Sequence, residues 1–313
     1  MRRSTFAAAV PVFLLWALPA AAACDGWLTP GFWRAAEAAR VTACLEADAS
    51  VTARTDAGKT PLHLAAAHAT DTAALRTLIR AGAPLDVIDS EGRRPIHEAA
   101  AENPDPAIIL NLILAGADPE VRIGEDSCRI ALCATAPLHL AAARSEGVDV
   151  AAALLVAGAL PKRLDTAQRT PLHIAALSGS GPAMIRILLA AGAVPDATDE
   201  DGKTPLHLAA DADSAPGPVR LLLAAGASAD IRDKEGNTPL HLAAARSTDP
   251  RVFKLLADAA EKPCTLNDRD ISALDVHDAR WKRDSEAGQA PALPRDATYW
   301  GLLQTCRAGD GGE

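Results

Sequence analysis

The chain has 313 residues and carries 31 Lys and Arg against 40 Asp and Glu, a formal net charge of −9. An acidic chain with no basic runs, and no basic residues interleaved with aromatics, excludes nucleic acid as a partner and does not suit an anionic membrane surface. Aromatic residues are only 3% of the total, so the core must be built in thin layers from Ala, Leu and Ile.

The first segment, residues 1–23, reads as a secretory signal peptide. Arg2 and Arg3 open it, an apolar run covers 6–18, and Ala21-Ala22-Ala23 supplies a small-residue cleavage site. That apolar run is too short for a comfortable membrane span. Cleavage would remove two basic residues and leave a more acidic mature chain. The other reading is a lipoprotein modified at Cys24, the only route by which a membrane enters. Ala21, three positions before that cysteine, is smaller than the residue such a site prefers. Six cysteines, at 24, 44, 128, 133, 264 and 306, form an even set, which in an exported chain suggests disulfides.

Residues 24–54 predict two short helices, one opening on Phe32-Trp33-Arg34-Ala35-Ala36 and one over 41–46. A tetrapeptide then begins to recur. It reads Thr60-Pro61-Leu62-His63, Thr170-Pro171-Leu172-His173, Thr204-Pro205-Leu206-His207 and Thr238-Pro239-Leu240-His241, with looser copies at Arg94-Pro95-Ile96-His97 and Ala136-Pro137-Leu138-His139. The six histidines stand 34, 42, 34, 34 and 34 residues apart, the mark of a stacked-repeat architecture. Each copy predicts a helix start, with Thr as N-cap and Pro at N1, running into an Ala-rich segment such as Leu64-Ala65-Ala66-Ala67. Asn103-Pro104, Asp105-Pro106, Gly181-Pro182, Pro216-Gly217-Pro218 and Asp249-Pro250 break that helix. A second helix follows, its apolar residues at i, i+3 and i+4: Leu75, Leu78, Ile79; Ile109, Leu112, Ile113; Ile185, Leu188, Leu189. It ends at Ala-Gly-Ala (Gly82, Gly116, Gly158, Gly192, Gly226), with glycine where a left-handed residue is wanted; the sixth copy has Ala260 there. A turn such as Asp199-Glu200-Asp201-Gly202-Lys203 leads to the next copy.

These motifs resemble ankyrin repeats, a turn plus two antiparallel helices, over about residues 50–275. The expected fold is therefore an all-α ankyrin-repeat solenoid of about six full repeats with projecting β-turn loops. Capping repeats cover its ends, with residues 24–54 as the first cap, 55–266 as the array and 267–313 as the last cap and tail. From motif His to glycine is 19 residues in the first five copies, one more than the usual ankyrin pattern. The resemblance implies that each motif His hydrogen-bonds the motif Thr and nearby backbone. Neighbouring helices stand ~8–10 Å apart, whereas zinc needs its ligand nitrogens at about 2 Å, so the imidazoles cannot share an ion. His68 and His277, outside the motif, read as solvated. So do the loop-tip carboxylates Asp89, Glu91, Asp199, Asp201, Asp233 and Glu235.

Terminal units of a solenoid must hide an apolar face, and the aromatics collect there: Trp27, Phe32 and Trp33 at one end, Trp281, Tyr299 and Trp300 at the other. Phe253 alone lies within the repeats, at a second-helix core position. Ser272-Ala273-Leu274-Asp275 falls in register as a seventh, degenerate copy. A polar segment over 282–289 leads to a last helix around 298–306, and the tail is expected to be loose. Stacking favours three local bridges: Cys24 with Cys44, Cys128 with Cys133, and Cys264 with Cys306.

The 42-residue step places its surplus over about 120–136, at the loop that ankyrin domains project as a fingertip. A tolerated insertion, cheap in loop entropy, and a stiffened finger that touches a partner both fit. The second reading assigns partner contacts to Glu125, Asp126 and Arg129. The resemblance implies protein binding in a concave groove, which here adds Glu102, Arg144, Ser178, Asp211 and Arg246 at the exits of the first helices. No paired nucleophile and base, metal cluster or phosphate loop is visible. The expected protein is therefore non-enzymatic, with no cofactor and no small-molecule substrate. It binds another protein in the periplasm or envelope, as a scaffold or regulator, or as an inhibitor such as an immunity protein that neutralises a toxin.

Overall fold

The computed structural model describes residues 24–124, 134–212, 215–289 and 295–309. Residues 1–23, and with them the signal-peptide reading, lie outside the described residues. So do Glu125, Asp126, Cys128, Arg129 and Cys133 of the finger. The described residues form helices joined by tight turns, and their only extended pairing is an isolated bridge between Leu266 and Ser272.

Helices α1 (Pro30–Ala35) and α2 (Ala38–Glu46) open the stack. Six pairs follow: α3 (Pro61–His68) with α4 (Thr72–Arg80), α5 (Pro95–Glu102) with α6 (Pro106–Leu114), α7 (Pro137–Ala142) with α8 (Val148–Val156), α9 (Pro171–Ser178) with α10 (Pro182–Ala190), α11 (Pro205–Asp211) with α12 (Pro216–Ala224), and α13 (Pro239–Arg246) with α14 (Pro250–Ala259). The chain closes with α15 (Ala273–Glu286) and α16 (Ala297–Gly309). First helices stack on first helices of the neighbouring repeat, and second on second, so contacts run between adjacent units. The chain is an all-α ankyrin-type solenoid.

The local signals act as the physics of helix ends requires. Thr170 and Thr204 accept the N–H of the motif histidine three residues on, and proline stands at N1 of every first helix in the six pairs. Proline also opens four second helices (Pro106, Pro182, Pro216, Pro250), behind an Asp cap at Asp105 and Asp249. The break between helices is therefore itself a helix start. At Gly192 φ is 91°, and the Ala193 N–H reaches back to the Leu188 carbonyl at 3.0 Å, a left-handed stop that a Cβ would strain. The last repeat ends instead in extended backbone at Ala260.

The core is a row of small layers. In the first helices Leu62, Leu172 and Leu206 are fully buried, as are paired alanines such as Ala175 and Ala176. Small side chains there let neighbouring helices close on one another. In the second helices the buried stripe is shifted from the predicted one. Ala74, Leu75 and Leu78, or Met184, Ile185 and Leu188, are inside, while Ile79 and Leu189 sit at the margin. The stripe turns because each second helix packs on two neighbours and on its own first helix.

Three expectations are corrected by packing. Asp89, Asp199 and Asp233 are buried, and each Oδ1 accepts two backbone N–H groups of its own turn: Glu91 and Arg93 at 2.9 Å in the first case, Asp201 at 2.9 Å and Lys203 at 2.8 Å in the second, and Glu235 at 2.9 Å and Asn237 at 2.8 Å in the third. The solvated carboxylates are the others, Glu91, Asp201 and Glu235. His277 is only 2% exposed and lies between Phe253 and Tyr299, with ring centroids at 5.5 and 4.9 Å. His68 is half-buried, its Nδ1 3.7 Å from a Glu102 carboxylate oxygen. The polar segment that leads to the last helix is itself helical at its start, since α15 runs on to Glu286.

Both ends carry aromatic lids. Trp27, Phe32 and Trp33 are buried against one another at 4.9–5.4 Å, and the Cys24–Cys44 disulfide closes the same unit. At the far end Tyr299 is buried, its hydroxyl donating to Asp278, while Trp300 is about half exposed. Cys264–Cys306 ties α16 to the loop after α14. Among the described residues no helix is long and apolar enough to cross a membrane.

Candidate functional site

The motif histidines prove to be ties between repeats. Nδ1 of His173 accepts the Thr170 backbone N–H at 3.1 Å and stands 2.8 Å from the Thr170 hydroxyl, while Nε2 donates to the Lys203 carbonyl at 3.1 Å, 30 residues on. His63, His139, His207 and His241 repeat this reach to Arg93, Arg169, Asn237 and Ile271. His97 reaches Val121 instead, because the longer loop replaces the ordinary turn there. The geometry needs a neutral ring, and burial pushes every motif histidine below the ordinary imidazole value, His97 to about 3. These side chains are occupied by the fold.

Hairpin tips are tied in the same way. The Ser90, Glu200, Lys234 and Asp268 N–H groups each donate to a carbonyl of the preceding tip, at 2.8–3.1 Å. At the finger Ile123 takes the place that Asp89, Asp165, Asp199 and Asp233 hold at other tips and is fully buried. Its backbone pairs with Ala134 and Thr135, which closes the base of the insertion.

The first-helix exits are where side chains remain to meet a partner, and they form two groups. Arg144 crosses to the preceding repeat and donates to the carbonyls of Ala100, Glu102 and Asn103 at 3.1–3.4 Å, capping the end of α5. Ser178 lines a shallow cleft of about 380 Å³ with Arg144, Glu146 and Ser180. Further along, Arg246 pairs with Asp211 at 3.1 Å across one repeat step, and Arg280 caps the α13 carbonyls of Ala244 and Ser247 as Arg144 caps α5. The structure therefore brings Glu102, Arg144 and Ser178 together, and Asp211 with Arg246. No described contact joins the two groups. Their charges are largely satisfied within the stack, which leaves a polar, prearranged surface.

One residue that the motif reading passed over stands out in the array. The position after the motif histidine is Leu64, Leu140, Ile174, Leu208 and Leu242 in five repeats, but Glu98 in the second. Glu98 is fully buried, with Lys59 Nζ at 2.7 Å and Arg93 Nη1 at 3.4 Å. Its break in an otherwise apolar column was the available signal. Among the described residues no group of three or more His, Cys, Asp or Glu side chains is placed to hold a metal ion.

The family model described as ankyrin repeats (3 copies) matches residues 32–123, 99–199 and 180–270. Among curated proteins no sequence matches the chain. The repeats, their histidine ties and this match, which spans most of the chain, agree: the chain belongs to the ankyrin-repeat family.

Proposed function

We propose that this chain is an exported scaffold or regulator that binds a protein of the cell envelope through its first-helix exits. Protein binding is the general role of the ankyrin fold, and the family is typically non-enzymatic. The observation that carries the reading is the row of exit side chains held by the stack itself: Arg144 on the α5 carbonyls and Arg246 on Asp211. A surface held in place before contact loses less side-chain entropy on binding. Export is supported by residues 1–23 as a leader and by the two disulfides at the ends of the stack, which persist in an oxidising compartment.

The test is to express the full chain with its own N-terminus and recover it from the periplasmic fraction. A chain beginning at Cys24, with thiols that alkylate only after reduction, is the expected product. A photo-crosslinking residue placed at Ser178 or Ala212 should then trap one envelope protein, and Asp211→Arg should abolish the adduct. Cytoplasmic retention with free thiols overturns the export reading; an adduct insensitive to Asp211→Arg overturns the face.

A further inference from the structure

A second strap joins neighbouring repeats on another side, through the loop that leaves each second helix. Three residues beyond the Ala-Gly-Ala stop comes an acid: Asp86, Glu120, Asp196 and Asp230 in the first, second, fourth and fifth repeats. Three of these reach the corresponding loop of the next repeat. Glu120 accepts the Leu160 N–H at 2.8 Å, Asp196 accepts the Ser228 N–H at 2.9 Å, and Asp230 accepts those of Glu261 and Lys262 at 2.9 and 3.0 Å. Asp86 is exposed and points to Arg94 instead.

In the third repeat this position is Lys162, which cannot accept. Among the described residues Lys162 makes no ion pair or hydrogen bond, and the Val194 N–H, the counterpart of Leu160 and Ser228, donates to none. The step between the third and fourth repeats therefore lacks its carboxylate strap and carries a cation in its place. A cleft of about 890 Å³ opens there, lined by Leu160, Pro161, Lys162, Leu164 and Gly192, and Val194 lies two residues past that glycine. Leu160 is 51% and Leu164 44% exposed. The matching cleft between the fifth and sixth repeats is smaller, about 580 Å³, and carries Ser228, Asp230 and Arg232 at those same three positions. Arg122, Arg163 and Asp165 line the cleft as well, Arg163 paired with Glu120 and Asp165 with Arg169, so the apolar pair and the unpaired Lys162 occur together, in a basic setting, at the step that is missing its acid.

We propose that this cleft docks an extended acidic segment of a partner protein. One Asp or Glu carboxylate of that segment takes the place filled by Glu120, Asp196 and Asp230 at neighbouring steps, between Lys162 and the Val194 N–H. Apolar side chains beside it rest on Leu160 and Leu164. The cleft shares no lining residue with the first-helix exits, so this site stands or falls separately from the face proposed above.

The probe is a set of blocked pentapeptides with Asp at the centre and Leu, Val or Phe on either side, titrated into the full chain labelled with ¹⁵N. A saturable shift of the Val194 amide is expected, with affinity at least about tenfold weaker for peptides carrying Asn in place of Asp. Lys162→Asp restores the acid that the fourth and fifth repeats carry, and should abolish peptide binding while raising the melting temperature, its own carboxylate closing the strap. Leu160→Ser with Leu164→Arg imports the fifth-repeat residues and should weaken binding about tenfold. Lys162→Gln, which removes only the charge, serves if the acid variant does not fold, and should weaken the Asp peptides alone. No saturable shift at Val194, equal affinity for Asp and Asn peptides, or unaltered binding by a folded Lys162 variant would each overturn the site.

Discussion

His173 holds its own helix start and the next repeat at once, through the Thr170 N–H and the Lys203 carbonyl. Alanine there leaves a buried donor and a buried acceptor unpaired, so His173→Ala should lower unfolding stability by about 1–3 kcal/mol in urea. A chelator should leave the wild-type melting temperature unchanged; a chelator effect lost in the mutant would contradict the tie. Asp199 offers a finer comparison. Asp199→Ala should destabilise by a similar amount, about 1–3 kcal/mol, whereas Asp199→Asn should be nearly neutral. Asn267 already makes this turn in the last copy, its Oδ1 accepting the N–H groups of Arg269 and Ile271 at 3.0 and 3.1 Å. A large loss in the Asn variant would mean that charge, not the acceptor, matters.

At the scale of the element, a first helix is finished by its neighbour. The end of α5 is covered by Arg144 of the following repeat, and that of α3 by Asn103, whose amide donates to the Ala66 and Ala69 carbonyls at 3.1 and 3.0 Å. Arg144→Met keeps the aliphatic stem and removes the donors. It should speed amide hydrogen exchange in the last turn of α5 and lower stability by about 1–2 kcal/mol, while α9 and α11 exchange as before. Uniform acceleration along the whole stack would show that the cap is not local.

Across the whole molecule the six motif histidines act together. A buried imidazole stays neutral in the fold, with His97 taking a proton only near pH 3, whereas an unfolded one is protonated as pH falls through about 6.5. In that window the unfolded chain binds more protons. Stability is thus complete above about pH 6.5 and is lost as the medium becomes more acid, by up to ~1.4 kcal/mol per pH unit for each histidine that remains neutral. The melting temperature should fall steadily between about pH 7 and pH 5; a flat profile would mean that the rings are protonated in place. The end disulfides work differently, by restricting the unfolded chain. With their cysteines 20 and 42 positions apart in sequence, each should contribute about 3–4 kcal/mol. Because units contact only neighbours, reduction should loosen α1 and α16 in hydrogen exchange before α9 or α11.

What could be read from the amino-acid order was what depends on near neighbours along the chain. Thr-Pro starts a helix because cap and N1 are adjacent, Gly192 stops one because a left-handed residue is needed at that point, and the 34-residue return of both declares a stack. The acid missing at Lys162 was also present in the letters, but it has meaning only when Glu120, Asp196 and Asp230 are seen on the next repeat's N–H groups. Folding decided everything that crosses a repeat step. Asp199 looks like a surface turn residue until its turn closes around it, and His277 looks solvated until Phe253 and Tyr299 meet over it. Arg144 looks like a mobile surface side chain until it is found on the carbonyls of Ala100, Glu102 and Asn103 in the preceding repeat. In each case the group that satisfies the side chain comes from another turn or another layer, and a stack supplies such partners through space.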